Sequence, residues 1–591
     1  MNWLSISPTS GHGNTQITLS ASTLTGLQDR IATLIATGSQ EGQTLSATTV
    51  VTQKITPSEK YLTFNISSAG TINWAASNHS VAKTIEYKLN DGDWVSIRST
   101  TGSTAPKINV VAGDKVQFRG NNATYGSSSS DYSAFKGSTA EFEVEGNIMS
   151  LINPTDFSTL TALSSDYTFN YLFTDCTGLT SAQNLILPAT TLAKYCYRCM
   201  FQNCSSLTTA PKLPATTLAE NCYIGMFGNC TSLTTAPELP ANTLADYCYT
   251  NMFYGCTNLT TAPALPATTL ANGCYEHMFD NCASLTAVPS NYLPLTTLTF
   301  GCYNGMFYKC TSLTTAPELP ATTLVNYCYS SMFARCTSLT QAPELPATTL
   351  AYGCYSDMFY GTNVLPDCSN IDFANSTVVA SGGLKGLFSG TKVTDNDLER
   401  LLPKNDNGRY YLPVITLADS CYESMFRGCT SLTTAPQLPA TTLASYCYLS
   451  MFEDCTSLST APALPATTLA GSCYSSMFRG CASLTQAPEL PATTLADSCY
   501  SFMFYGCTNL TTAPALPATT LADYCYEYMF DGCSSLSYIK CLATDISAYR
   551  SRDYWVRGVA ATGTFVKNPN KTSWPTGVDG IPEGWTVVND S

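Results

Sequence analysis

The chain has few of the residues that carry most acid–base and metal chemistry. Of its 591 residues, 12% are charged and three are histidines, at positions 12, 79 and 277. Histidine is the side chain that most often acts as acid, base or metal ligand near neutral pH, so its scarcity argues against those chemistries. A net charge of −14 with scattered Lys and Arg also argues against nucleic acid as a partner, because phosphate binding needs a basic face.

Long apolar runs are missing as well. No stretch approaches the about 18 consecutive apolar residues that a membrane-spanning helix needs, so we expect no membrane insertion. The N-terminus, Met1-Asn-Trp-Leu-Ser-Ile-Ser-Pro8, has neither a basic start nor an apolar core, so no export signal is visible. The chain nevertheless contains 27 cysteines, an abundance typical of secreted, disulfide-rich proteins. The arrangement of the cysteines in the sequence explains why they are abundant although no export signal is visible.

A Cys-Tyr pair recurs along the chain with a nearly constant period. The spacing is 26 residues throughout, apart from one interval of 28 and one of 67. Degenerate copies around Phe173 and around Leu387-Phe388 bring the number of units to 14. The first cysteines of the complete units are Cys196, Cys222, Cys248, Cys274, Cys302, Cys328, Cys354, Cys421, Cys447, Cys473, Cys499 and Cys525.

Each unit has two parts. In the first part, apolar residues fall at offsets 0, 4, 5, 8, 9 and 12, counted from Leu218 to Cys230. At about 100° per residue they cover half of a helix circumference, which predicts a short amphipathic helix. The second part, Leu233 to Pro240, predicts a strand of two to four residues and an extended turn, because proline interrupts a ladder. Since one unit cannot bury its apolar side alone, the sequence predicts a repeat solenoid with a short strand and a short helix in each 26-residue unit.

The run Cys230-Thr-Ser-Leu-Thr-Thr-Ala-Pro-Glu-Leu-Pro240, preceded by Met226-Phe227, resembles the BspA-type leucine-rich repeats of Bacteroidetes surface proteins. The resemblance covers about residues 147–545 and implies a leucine-rich-repeat solenoid. Such repeats serve adhesion to varied partners, so the resemblance implies surface recognition without naming a ligand.

The cysteines allow several interpretations. Eleven units carry two cysteines eight residues apart, which could form disulfides between neighbouring units, bind metal, or pack as buried thiols. The odd total and the loss of single cysteines from some units favour buried thiols, which suit a reducing cytoplasm. We therefore expect a structural ladder and neither a metal nor another cofactor. The ladder comprises Cys222, Cys230, Cys248, Cys256, Cys274, Cys282, Met226 and Phe227.

The segments outside the repeats differ in composition. Residues 1–55 read as strands and resemble the later part of a BACON domain, an immunoglobulin-like module of Bacteroidetes and their phages. Its missing strands predict an open edge that another virion or surface protein covers, so we expect an oligomer or assembly joined through 1–55. Residues 56–146 alternate in polarity around turns such as Asn90-Asp-Gly and predict a second β-sandwich-like module. We place the repeats at 147–545 with an irregular insert at 363–412, and a C-terminal cap at 546–591.

No motif for catalysis is present: the sequence lacks a GxSxG elbow, a P-loop, a GxGxxG fingerprint and an HExxH helix. Paired glutamates could in principle form a glycosidase site, but their column varies between units, as a solvated face does, so we expect no enzyme. Asp395-Asn-Asp397 and Asn405-Asp-Asn-Gly408 could hold calcium weakly, or simply form turns in the insert.

Surface positions vary between units while core positions hardly change. Tyr, Asn, Ser, Gly and Arg at the variable positions suit an adaptable binding surface, although drift on a solvated face is an equal alternative. The candidate recognition residues are Tyr195, Glu238, Tyr247, Tyr254, Tyr308, Glu318, Tyr327, Glu344, Glu489 and Tyr505.

These observations predict a non-enzymatic recognition or adhesion protein that binds glycans or surface proteins of a host. The absence of a visible export signal favours a phage virion fibre or decoration protein, which folds in the host cytoplasm. A bacterial cell-surface adhesin and a purely structural spacer or assembly joint in a virion are the alternatives.

Overall fold

The computed structural model describes residues 4–7, 18–21, 30–40, 43–53, 60–128, 130–347, 350–363, 381–412 and 414–591. Contacts within the chain divide it into two compact units. The first unit comprises Met1–Cys196, Cys204–Leu218 and Pro237–Ala241. The second comprises Tyr197–Asn203, Ala219–Ala236 and Asn242–Ser591.

The first unit contains most of the regular strands. They are β1 (Leu4–Ser7), β2 (Thr18–Ala21), β3 (Arg30–Gln40), β4 (Gln43–Gln53), β5 (Leu62–Ile66), β6 (Gly70–Asn73), β7 (Ala75–Ala76), β8 (Thr84–Leu89), β9 (Val95–Arg98), β10 (Lys107–Val110), β11 (Lys115–Gly120), β12 (Ser133–Ala134), β13 (Phe142–Asn147) and β14 (Leu179–Ile186). Short 3-10 turns occupy His79–Val81, Gly102–Thr104, Ile148–Leu151 and Phe157–Thr159.

In the N-terminal region, β1 pairs with β2 and β3 with β4, both antiparallel. The segments between β1, β2 and β3, and residues 54–59, lie outside the described residues. The likeness of 1–55 to part of a BACON domain therefore stays a prediction.

Residues 60–147 form the β module. Five of its strands and β14, which lies later in the chain, form a six-stranded sheet of order β14-β13-β5-β11-β8-β9, and β10-β6 and β12-β7 are separate two-stranded sheets. The predicted hairpin around Asn90 is present, because β8 pairs with β9 and Asn90 has the positive φ of 51° that the turn requires. Phe64 lies at the centre of the core, with ring centroids 4.6–4.8 Å from Phe118, Phe135 and Phe142.

The second unit is a stack of repeats, in which the predicted helix is wrong. None of the described repeats has an α-helix at the segment that carries Cys-Tyr and Met-Phe; the segment consists of consecutive turns. Every fourth residue has positive φ, for example Tyr247 (56°), Asn251 (56°) and Gly255 (70°). A right-handed helix cannot contain a left-handed residue in each turn.

Backbone hydrogen bonds explain why this conformation is stable. Cys248, Thr250 and Met252 donate their N–H groups three residues back within the same turn, over 3.1–3.3 Å. The alternate residues Tyr249 and Asn251 donate to Cys274 and Glu276 of the next repeat, over 3.1 and 2.9 Å. Every N–H in the segment thus has a partner, half of them about 26 residues away.

The other half of each repeat is less regular than predicted. Instead of strands of two to four residues, neighbouring repeats share single parallel bridges, such as Thr235 with Thr261 and Thr434 with Thr460. Regular elements of the second unit are β15 (Tyr538–Cys541), β16 (Thr564–Lys567), β17 (Thr586–Asn589) and the four-residue helix α1 (Leu398–Leu401). In the described part of the chain no helix has the length and apolarity needed to cross a membrane.

Two ladders of aromatic rings run through the interior of the stack. Equivalent tyrosines stack at 5.7–6.2 Å, as Tyr249 does on Tyr275 at 5.9 Å, and equivalent phenylalanines do the same, as in Phe253 on Phe279 at 5.7 Å. Trp555 lies 6.2 Å from Tyr526 and therefore extends a ladder into the C-terminal segment. In the insert, residues 364–380 lie outside the described residues, whereas 381–391 form a degenerate repeat. Its Phe388 stacks on Phe426 at 5.5 Å.

Candidate recognition surface

The predicted recognition residues fall into three columns, each occupying one position of the repeat. The pre-Cys column is the residue before the first cysteine, and contains Tyr195, Tyr247 and Tyr327. The turn column is the sixth residue after that cysteine, and contains Tyr254, Tyr308 and Tyr505. The Glu column lies in the Ala-Pro-Glu-Leu-Pro segments, and contains Glu238, Glu318, Glu344 and Glu489.

In the pre-Cys column, backbone conformation dictates which residues are allowed. Tyr247 and Tyr327 have φ of 56° and 57°. Their rings lie over Gly273 and Gly353, the same position of the next repeat, where a Cβ would collide with the ring. At these two tyrosines the ring occupies the space that a Cβ would need in the next repeat, whereas Tyr195 is followed by Asn221 at φ of 56°. Asn, Ser and Gly recur in this column because they tolerate positive φ. The variability of this column has a structural cause besides recognition.

The tyrosines of this column are half-buried. The ring of Tyr195 stacks on that of Tyr167 at 4.7 Å with an angle of 1°. Burial, with the nearby carboxylates of Glu276 and Asp246, raises the pKa of Tyr247. A hydrogen bond with Tyr352 raises the pKa of Tyr327.

Tyr327 belongs to a three-ring group that we call the aromatic cluster, with Phe300 and Tyr352. The ring of Tyr327 lies 5.7 Å from Phe300 and 5.1 Å from Tyr352, at 76° and 83°. Phe300 and Tyr352 are each 45% exposed. Sequence reasoning missed both as site residues, because they lie two positions before the cysteine and approach Tyr327 only across neighbouring repeats.

The turn column has a less uniform environment. Tyr254 is 38% exposed. Tyr308 lies edge-on to His277 at 6.2 Å, and the Lys309 ammonium is 5.1 Å from its ring. Tyr505 lies 6.0 Å from Phe502 and beneath the Arg479 guanidinium, at 5.1 Å.

A second aromatic row near Tyr505 was not predicted. Phe502, Tyr528 and Tyr554 stack on one another at 4.7 and 5.2 Å. The Arg557 guanidinium lies 5.0 Å from the Tyr554 ring and pairs with Asp531. Phe502 and Tyr528 occupy the third position after the cysteine, and Tyr554 the equivalent position after Ser551, at φ between 51° and 57°. The usual small residues at this position gave no signal that it could carry stacked rings.

Two members of the Glu column share a groove. Glu318 and Glu344 line a cavity of about 620 Å³ together with four prolines at 317, 320, 343 and 346. Glu238 and Glu489 are also exposed, at other repeats. Solvent-exposed carboxylates on adjacent repeats suit contact with polar or cationic groups.

The predicted structural ladder is buried throughout: Cys222, Cys230, Cys248, Cys256, Cys274, Cys282, Met226 and Phe227 have no exposed area. The second thiol of each repeat donates to the phenylalanine carbonyl of the preceding repeat, as Cys256 does to Phe227 and Cys282 to Phe253, both at 3.1 Å. From Cys248 to Cys541, every cysteine in the described part of the chain is a free, buried thiol. Burial raises the pKa of Cys256 to about 12, which keeps the thiol protonated.

The acidic motifs of the insert form local turns and loop contacts. Partial burial alone would raise the pKa of Asp395, but hydrogen bonds from the Thr433 hydroxyl and from the backbone N–H groups of Thr433 and Thr434, at 2.5, 2.9 and 3.1 Å, lower it. Asn405 accepts from the N–H groups of Asn407 and Arg409, at 3.1 and 3.0 Å. The side-chain oxygens of Asp395 and Asn405 therefore stabilise the loop conformation.

Comparison with known families identifies a family of leucine-rich repeats. The family described as BspA type leucine rich repeat region matches in six copies, over residues 162–286, 226–365, 415–511 and 452–550. These ranges cover more than half of the chain. A comparison with curated proteins found no match.

Proposed function

This chain belongs to the BspA-type leucine-rich repeat family, and we propose that it is a non-enzymatic recognition protein whose repeat solenoid binds a glycan or protein on a host surface. The family favours a surface or adhesion role. The ligand class is the further step that we take from the geometry of the repeats.

The observation that carries the proposal is the aromatic cluster. Two of its rings, Phe300 and Tyr352, are 45% exposed although the core of the same repeats is fully buried. Tyr327 holds both rings by perpendicular contacts, and its own ring rests on Gly353. Rings ordered in this way lose little entropy on binding and present apolar area together with a hydroxyl group, as aromatic anchors of binding surfaces do.

We place the protein in a phage virion, as a fibre or decoration protein, with the BACON-like residues 1–55 as its contact to other virion proteins. Buried free thiols support this setting, because they suit folding in a reducing cytoplasm before exposure at a surface. A bacterial cell-surface adhesin is the alternative that the family equally favours.

The test is binding of the purified full chain to an array of bacterial surface glycans and to host cells. We expect Phe300→Ser combined with Tyr352→Ser to weaken binding at least tenfold, since both exposed rings are removed. Ile415→Ser is the matched control, because Ile415 is 60% exposed but lies outside the aromatic cluster. Equal binding by the double variant and the control would overturn the assignment of this surface.

A structural spacer is the second candidate, and the pre-Cys column favours it. Its Asn, Ser and Gly residues follow from positive φ, and Gly273 and Gly353 also from the tyrosine ring of the preceding repeat, so these residue choices need no ligand. If the wild-type chain binds neither glycans nor cells, and its repeats are covered by partners in intact virions, the spacer role is correct.

A further inference from the structure

The C-terminal sheet ends in an open edge. Strands β15, β16 and β17 are parallel and lie in the order β15-β16-β17, so that, among the residues that the structure describes, β17 has a strand on one side only. All four residues of β17, Thr586–Asn589, are exposed, with Val587 at 45% and Val588 at 40%. An exposed edge presents a row of backbone donors and acceptors to another strand.

The direction of the backbone groups of β17 follows from two hydrogen bonds. Thr586 donates its N–H to Gly563 at 2.8 Å, and Asp590 donates to Lys567 at 2.8 Å, both on the β16 side. Because successive residues of a strand point their N–H groups to opposite sides, the backbone N–H and C=O groups of Val588 also point toward β16. Val587 and Asn589 therefore direct their N–H and C=O groups outward.

This edge lacks the features that usually block strand addition. Thr586-Val-Val-Asn589 contains no proline, lysine or other charge, whereas natural edges commonly carry them. The charged side chains of Asp590 and Lys567, which lie beside it, already have partners. Lys540 binds Asp590 at 2.7 Å, and the Lys567 ammonium binds the Asn589 side-chain oxygen at 2.8 Å.

We propose that β17 pairs with β17 of a second copy of this chain, antiparallel, about a twofold axis at Val588. An antiparallel pair needs outward groups opposite outward groups, and this axis sets Val587 against Asn589 of the copy and Asn589 against Val587. No like charges meet, because Asp590 falls opposite Thr586. The two Val588 side chains face each other at a non-hydrogen-bonded pair, where side chains are closest.

A second copy fits this edge better than an unrelated strand does, because the segment is complementary to itself. The twofold arrangement places the Val588 side chains of the two copies against each other and buries their exposed methyl groups. It also pairs all four outward backbone groups of each strand, which are the N–H and C=O groups of Val587 and Asn589. Such an isologous contact closes as a dimer.

The test is the mass of the full chain in solution, measured by sedimentation over a range of concentrations. We expect a dimer whose dissociation constant rises about tenfold or more in Val587→Pro, because proline removes an outward N–H from each copy. The bonds to β16 come from Thr586, Val588 and Asp590 and stay intact, and the thermal unfolding temperature checks this. A monomer at all concentrations, or a dimer that Val587→Pro does not weaken, overturns the proposal.

Charge exchange at Val588 provides a second test that does not depend on proline. Val588→Lys should weaken the dimer, because two ammonium groups would face each other, and mixing it with Val588→Glu should restore association. Val578→Lys is the matched control, because Val578 is 41% exposed but lies outside β17. If the control weakens the dimer as much as Val588→Lys, or if the Lys and Glu variants do not associate, the edge is not the interface. Pairing only with a different protein would also contradict the second copy as occupant.

Discussion

The β module at residues 60–147 and the repeat stack of the second unit build their cores in different ways. In the β module, Phe64 meets Phe118, Phe135 and Phe142, which lie at unrelated distances along the chain. In the stack, Phe253 meets Phe227 and Phe279, which are the same position one repeat away. The β module contains no cysteine, whereas each complete repeat contributes at least one buried thiol.

This difference determines how far a local change spreads. A core substitution in the β module affects several strands at once, while a substitution in the stack affects its two neighbouring repeats. The stack also contains a buried thiol in each complete repeat. A change of pH that ionises thiols therefore affects all of these repeats at once.

Alkaline pH should separate the two regions most strongly. An unfolded thiol ionises near pH 8.5, whereas burial raises the pKa of Cys256, Cys336 and Cys507 to about 12. The folded pKa is the higher one, so the stabilisation is complete below pH 8.5 and is lost as the pH rises toward 12. Each such thiol lowers the free energy of unfolding by about 1.4 kcal/mol per pH unit in that window. Proteolysis at rising pH, mapped by mass spectrometry, should cut the stack first.

Residues 60–147 are the internal control for this experiment, since they have no thiol to titrate. At pH 7 both regions should resist the protease. Earlier cleavage of 60–147 than of the stack at pH 10–11 would contradict the thiol explanation.

A glycine substitution should show that neighbouring repeats constrain each other. Gly273→Ala places a Cβ against the Tyr247 ring at φ of 55°, and we expect a loss of about 2–4 kcal/mol in the free energy of unfolding. Gly301→Ala, in the same column at φ of 57° with nothing within 4 Å, should lose only about 1 kcal/mol. Urea unfolding measures both.

Removing the tyrosine separates collision from backbone strain. With Tyr247→Ala already present, the additional loss from Gly273→Ala should fall to that of Gly301→Ala. An unchanged loss would show that the ring does not restrict the glycine.

The smallest effect concerns the thiol hydrogen bond. Two described repeats carry threonine in place of the second cysteine. The hydroxyl groups of Thr362 and Thr391 donate to Phe359 and Phe388 of their own repeat, at 2.9 and 2.6 Å, whereas the thiol of Cys256 donates to the preceding repeat, so a threonine here still has an acceptor. Cys256→Thr should therefore change the free energy of unfolding by less than about 0.5 kcal/mol, whereas Cys256→Val, of similar size, should lose about 1 kcal/mol because the donor is absent. Equal unfolding midpoints for the two variants would mean that the thiol acts only by packing.

Much of the fold could be predicted because apolar periodicity is local information. The Cys-Tyr pairs located the repeats, and alternation around Asn90 located the β8–β9 hairpin. The helix was wrong, although a signal was available. Offsets of 4, 8 and 12 are a strict period of four, whereas helices mix steps of three and four. Glycine, asparagine and serine at every fourth position mark the left-handed residues, a signal of backbone conformation that the interpretation as a binding surface did not use.

The candidate site was predicted only in part, because its members meet across repeats. The sequence indicated Tyr327 and Tyr505 as surface aromatics. Phe300 and Tyr352 contact Tyr327 only because neighbouring repeats stack, and the row of Phe502, Tyr528 and Tyr554 forms near Tyr505 for the same reason. Position in the repeat does not show which residue of the next repeat a side chain reaches.

The sequence by itself determined the period, the residues of the core and the alternating strands of the β module, since each follows from residues close together in the chain. Only the tertiary structure decided between helix and turns, because alternate N–H groups find their acceptors one repeat away. It also decided which surface residue needs a glycine beside it, and which strand is left with an open edge. Those are contacts between segments that the chain brings together only when the repeats stack.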